Sequence, residues 1–145
     1  MEDFLKATGK LDIILKDSEG NIKQELHVPN LVVTVGKNFI ASRMVGVSSP
    51  VMSHMAVGTN TTAPVSANTE LGTEIARVAL SSATATANTV AYSATFPAGT
   101  GTGSITEAGI FNAVSSGTLL CRTTFAVVNK AATDVLTINW NVTVN

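Results

Sequence analysis

Cysteine is nearly missing from this chain. Cys121 is the only one in 145 residues. A lone thiol forms no intramolecular disulfide and no thiolate metal cluster. Charged residues are also scarce, at 13 %, about half the share usual in globular proteins. The net charge is −1 and no basic stripe runs along the chain, so nucleic acid is not an expected partner. No apolar run reaches the ~18 residues that a spanning helix needs, so no membrane partner is expected. The opening Met1-Glu-Asp-Phe-Leu-Lys has neither the basic start nor the apolar core of a secretion signal, which implies a protein made and kept in a reducing cytoplasm.

What fills the space is Thr, Ser, Ala, Val and Gly, with 45 % of residues hydrophobic. That is too apolar for a disordered chain and long enough for one domain with a real core. Thr and Val suit a pleated surface while Gly and Ser punctuate turns, so the composition leans toward β-structure. The few charges are unevenly spread. Residues 1–43 hold six of nine Lys and Arg and six of ten acids, leaving three and four for the other 102 residues. A surface so poor in charge is cheap to desolvate and suits a protein packed against neighbours.

Leu11, Ile13 and Leu15 alternate with more polar neighbours, Asp17-Ser-Glu-Gly-Asn follows as a turn, and Ile22 to Val28 alternates again. This predicts a β-hairpin ended by Pro29-Asn30. Thr34 is placed to cap a helix running to about Met44, with Phe39, Ile40 and Met44 on one side. Short strands are expected over Ser53–Gly58, Ile75–Leu80 and Thr89–Phe96. Ser104–Asn112 should pair with Thr118–Phe125, and Val127–Asp134 should form a turn. The strongest alternation is the last, where Leu136, Ile138, Trp140, Val142 and Val144 share a face that should pack on Val90, Tyr92 and Phe96. Eight or nine short strands, one helix and turn signals about every ten residues predict an all-β antiparallel domain, a β-sandwich or jelly-roll-like fold. It is read as a single domain over 1–145, with residues 1–30 a candidate N-terminal arm and hairpin.

The chemistry is thin. His27 falls on a charged hairpin face, and His54 has no second ligand at i+2 or i+4. Cys121 lies among apolar residues, where a thiol is inert. Gly99-Thr-Gly-Thr-Gly lacks the Lys-Ser/Thr pair of a phosphate loop. No metal, cofactor or catalytic residue is expected, so the chain reads as a non-enzyme. Arg77, Glu107 and Arg122 stand out because they interrupt strands otherwise nearly free of charge. Glu107 shares an alternation with Ile105, Gly109 and Phe111, so if buried it needs a partner, which Arg77 or Arg122 could supply. The reading is a structural ion pair.

Several segments in order resemble small virion structural proteins of tailed bacteriophages, of the capsid decoration (cement) or tail-fibre-like kind. They are Val28–Met44, Met52–Thr59, Glu70–Arg77, Ile105–Asn112, Thr118–Thr123 and Leu136–Val144. The Glu-Ala-Gly-Ile-Phe stretch followed by a hairpin also resembles modules of tail-fibre and baseplate proteins. The resemblance implies a capsid decoration protein stabilising the head exterior, assembled in the host bacterial cytoplasm and located on the virion's capsid surface. Its partners would be the major capsid protein and itself, as a homotrimer or alternatively a dimer. The alternative is a tail-fibre or baseplate-associated structural, receptor- or carbohydrate-binding β module. Met1, Glu2, Asp3, Phe4, Leu5 and Lys6 are too few to fold alone, and the expectation is that they order by lying on the capsid.

Overall fold

Alternation governs the first element, as the sequence reading requires. In the structure, a computed structural model describing residues 6–145, β1 (Ala7–Lys16) buries Leu11, Ile13 and Leu15. The turn to β2 (Ile22–Val32) is closed by Asp17, whose Oδ1 accepts the N–H groups of Glu19 and Asn21, both at 2.9 Å. Gly20 supplies a φ of +86° there, which a residue with a Cβ adopts only at a cost.

Pro29-Asn30 does not end β2. Pro29 stands opposite Lys10 in the β1 ladder, and the strand continues so that Leu31 and Val32 pair with Arg122 and Cys121. A missing N–H is tolerated because the strand exchanges one partner for another there. The Pro29 carbonyl is not wasted, since it accepts the Thr123 hydroxyl at 2.7 Å.

The other elements are α1 (Thr34–Arg43), β3 (His54–Gly58), β4 (Glu74–Ala79), β5 (Ser82–Thr86), β6 (Thr89–Phe96), β7 (Gly103–Phe111), β8 (Leu119–Lys130) and β9 (Val135–Val144). The nine strands form one sheet in the order β4-β3-β7-β8-β2-β1-β9-β6-β5. Every pairing is antiparallel. The sheet curls into a half-barrel about β2. Leu11, Ile13, Ile138 and Trp140 from one half thereby share a core with Met55, Val57, Ile110 and Cys121 from the other. Trp140 is opposite Tyr92, and Leu136 opposite Phe96. Residues 7–32 are therefore built into the sheet, with β1 held between β2 and β9.

The outer face of the β8–β7–β3–β4 half carries a second, smaller core of Val33, Ala56, Leu71, Phe111 and Leu119. The start of α1 covers part of it. Gly36 makes this possible, because a Cβ there would lie 2.1 Å from the Leu120 carbonyl oxygen.

Several expectations are corrected. The N-cap of α1 is Val33, with no side-chain cap, and Thr34 is already helical. Met44 lies beyond the last helical residue and is 85 % exposed, so it does not share the packing of Phe39 and Ile40. β8 extends through Val127 to Lys130, leaving only residues 131–134 for the turn. Val144 is exposed at the end of β9. The Ser82–Thr86 strand was not anticipated, because its Ser-Ala-Thr-Ala-Thr carries no apolar alternation and every residue is exposed.

Candidate functional site

Glu107 is the centre of the most heavily bonded polar cluster. A register shift between Ile105 and Glu107 in the β7–β8 ladder separates their faces. Ile105 turns into the main core, while Phe111 belongs to the outer one, so the two do not share a face as the simple alternation expects. The Glu107 carboxylate, 0 % exposed, points toward the segment that joins β3 to β4. Its Oε2 accepts the N–H groups of Asn60 at 3.0 Å and Thr73 at 2.7 Å. Its Oε1 accepts the Gly72 N–H at 2.8 Å and Arg122 Nε at 3.1 Å. Gly58, opposite Glu107 in the ladder, leaves the room, since a Cβ there would lie 2.6 Å from Oε2.

Arg122 is also buried. Beyond Glu107 it donates through Nη1 to Asn68 Oδ1 at 3.1 Å and through Nη2 to the Thr62 carbonyl at 3.0 Å. The Thr106 hydroxyl donates to the Asn60 carbonyl at 2.9 Å. Two buried charges thus satisfy each other and, between them, tie down residues 60–73. Full satisfaction is what makes such a pair tolerable in a low-dielectric interior.

Arg77 is not brought to Glu107. It forms a two-point pair with Glu74, at 3.0 Å from Nε and 2.7 Å from Nη2. Its Nη1 donates to the carbonyls of Ala113 and Ser116, and its guanidinium carbon lies 3.7 Å from the centre of the Phe111 ring. It fastens the β7–β8 loop as Arg122 fastens the 60–73 segment. A cleft of about 550 Å3 lies between these two segments, lined by Glu70, Leu71, Arg77, Phe111 and Ser116 among others.

Chemically, this cluster holds loops in place. All four donors around Glu107 aim at its two oxygens, and the carboxylate is closed off from solvent. Ser53 Oγ lies 2.8 Å from His54 Nδ1, a hydroxyl–imidazole contact in which, among the described residues, no acidic group is bonded to the other ring nitrogen. Triad-like activation needs that third, orienting group. Among the described residues, no group of three or more His, Cys, Asp or Glu is placed to hold a metal ion. Cys121 is fully buried, and burial pushes its thiol pKa well up.

Two further polar groups escape sequence reading. Lys130 and Asp134 are both buried. Asp134 accepts Lys23 Nζ at 2.7 Å and the Ala131 N–H at 2.8 Å, and Lys130 Nζ donates to the Pro97 carbonyl at 3.0 Å. The Lys23 hydrogen bond chiefly holds the Asp134 carboxyl below its ordinary pKa. The available signal was the period of β8, which puts Lys130 in step with buried Val128.

Of the suspected capsid-contact residues, Met1 to Leu5 lie outside the described residues. Lys6 is exposed and exchanges backbone hydrogen bonds with Asn145, at 3.2 and 2.7 Å. Among the described residues, no helix is long and apolar enough to cross a membrane. No protein-family model, curated protein or solved structure matches the chain.

Proposed function

We propose that this chain is a structural, non-enzymatic subunit of a tailed-bacteriophage particle, a decoration protein that sits on the head exterior as a homo-oligomer against the major capsid protein. One observation carries the reading, and it is how the charges are spent. Of the seven charged residues beyond residue 43, Arg77 pairs with Glu74, Arg122 with Glu107 and Asp134 with Lys23. Lys130 is buried on a carbonyl, which leaves Glu70 alone without an ionic or hydrogen-bonded partner among the described residues. The outer face of β9 and β6 is then a neutral lattice, with Thr89 bonded to Thr143 at 2.9 Å, Ser93 to Asn139 at 2.9 Å and Thr95 to Thr137 at 3.3 Å. Side chains that already satisfy each other lose little when covered by protein.

The resemblance noted above points the same way. Four of the segments that carry it, Met52–Thr59, Glu70–Arg77, Ile105–Asn112 and Thr118–Thr123, supply Gly58, Gly72, Thr73, Arg77, Glu107 and Arg122. Closure of the half-barrel into a jelly-roll-like sandwich belongs to the same reading. So does a capsid contact through Met1–Lys6.

The test is the copy number of the chain in purified virions, by quantitative mass spectrometry against the major capsid protein. A ratio near the number of capsomers or of their subunits is expected. A ratio matching baseplate or fibre proteins would replace the head with the tail, the second reading favoured by the Glu107–Phe111 segment. Deleting Met1 to Lys6 should lower occupancy on bare capsids. Undiminished occupancy would remove that segment from the contact.

A further inference from the structure

One edge of the sheet lacks the usual protections. β5 is the terminal strand beyond β6, and all five of its residues are exposed. Among the described residues, no hydrogen bond involving Ser82–Thr86 leads anywhere but to β6. An edge strand presents a row of free N–H and C=O groups, and soluble proteins blunt it with Lys, Pro, a bulge or a covering loop. Here residues 78–106 contain no Asp, Glu, Lys or Arg, the strand contains no Pro, and its ladder to β6 runs without a register shift.

Side-chain size adds to this. Ser82, Thr84 and Thr86 align with Ser93, Ala91 and Thr89 on the outer face, while Ala83 and Ala85 align with Tyr92 and Val90 on the inner one. No side chain of β5 is larger than Thr, so none of them keeps a second strand away.

We propose that β5 is a self-association edge, at which two copies of this chain pair antiparallel about a two-fold axis centred on Thr84. In that register Ser82 faces the second copy's Thr86, Ala83 its Ala85, and Thr84 its own equivalent. Only Thr84 meets its own equivalent across the axis, so a charge at that position would face its like and be repelled. With no charge anywhere over 78–106, nothing repels a second copy in this register, and nothing singles out a foreign strand by charge. The two nine-stranded sheets would become one continuous sheet. A single edge used by both partners is an isologous contact, so it builds pairs and not closed trimers. The inference rests on the homo-oligomer part of the proposed function and favours the dimer within it. A ladder of about 17 Å is a small contact, so it becomes decisive when both copies are held on one surface.

The experiment is cysteine cross-linking of the full chain, which is free of background because Cys121 is buried. Under mild oxidation Thr84→Cys should form a disulfide-linked dimer well above the level given by Ala98→Cys, a thiol on an exposed loop position. In a parallel sedimentation series, Thr84→Lys should shift the concentrated protein from dimer to monomer with an unchanged melting curve. Dimer yield no higher than that of Ala98→Cys overturns the proposal, as does a Thr84→Lys protein that sediments like wild type. The two readings fail separately. Head-bound protein without the cross-link removes the edge contact alone, and a cross-linking dimer that never loads onto heads removes the decoration role alone.

Discussion

At the scale of single residues, Glu107 and Arg122 decide whether residues 60–73 hold their place. Removing one member of a buried, hydrogen-bonded pair typically costs ~3–5 kcal/mol, because the other charge remains buried. Arg122→Met should therefore destabilise by that order in chemical denaturation. Glu107→Gln should do the same, since its amide nitrogen would face N–H donors where the carboxylate had accepted them. The double substitution should cost less than the sum of the two singles, and strict additivity would show that the pair is not coupled. His27 shows the opposite case, a charge pair in water. Its Nδ1 lies 2.6 Å from Asp12 Oδ1 and its Nε2 3.6 Å from Glu25. The Asp12 hydrogen bond, aided by the charges of Asp12 and Glu25, raises the His27 pKa above its ordinary value. The pair's contribution to stability is therefore complete below the unfolded-state pKa of about 6.5 and is lost as pH rises through the higher folded-state value. Proton NMR should find the ring titrating above that unfolded value, and Asp12→Asn should bring it back down. A ring that titrates identically in both proteins contradicts the assignment.

At the scale of elements, legibility follows apolar alternation. β9 was readable because Leu136, Ile138, Trp140 and Val142 all enter the core. β1 was readable for the same reason. β5 was not, because an edge strand that buries nothing leaves no periodic trace. Pro29 misled because a strand may keep a proline where it changes partners, and that exchange is a property of the sheet. The same division runs through the ion pair. A carboxylate within an apolar strand announced that it needed a partner, and Arg122 on the adjacent strand is that partner. Three of the four donors around Glu107 are backbone N–H groups of a segment 34 to 47 residues away in sequence, which no side-chain pattern encodes. Arg77 pairs three residues away with Glu74, so proximity in sequence outcompeted the distant carboxylate. For β9, Trp140→Ala should cost ~3–5 kcal/mol, read as a large fall in melting temperature. Trp140→Phe should cost less, because an aromatic ring remains while the buried indole N–H, which has no hydrogen-bond partner among the described residues, is removed. Equal losses in the two variants would mean that ring burial is not what holds β9 in the core.

At the scale of the whole molecule, the sheet divides into two electrostatic territories. On the outer face, β1 and β2 present Lys10, Asp12, Lys16, Glu25 and His27, whereas β9, β6 and β5 present mostly hydroxyls and amides, with Ala91 and Val135 among them, and not a single charge. The division follows chain order, because β1 and β2 come from the charge-rich first 43 residues. Two kinds of contact should then answer differently to salt. Attraction between exposed charges is screened over a Debye length of about 10 Å at 0.1 M ionic strength and about 3 Å at 1 M. A shell contact made through the β1–β2 territory should weaken steeply across that range, and mostly through slower association. Pairing of neutral β5 edges rests on backbone hydrogen bonds and should barely respond. Occupancy on bare capsids and the Thr84→Cys cross-link, followed over one salt series, separate the two. Loss of occupancy with an undiminished cross-link is the expected outcome. Occupancy that persists at 1 M salt would move the shell contact off the charged strands and onto the neutral face of β9 and β6.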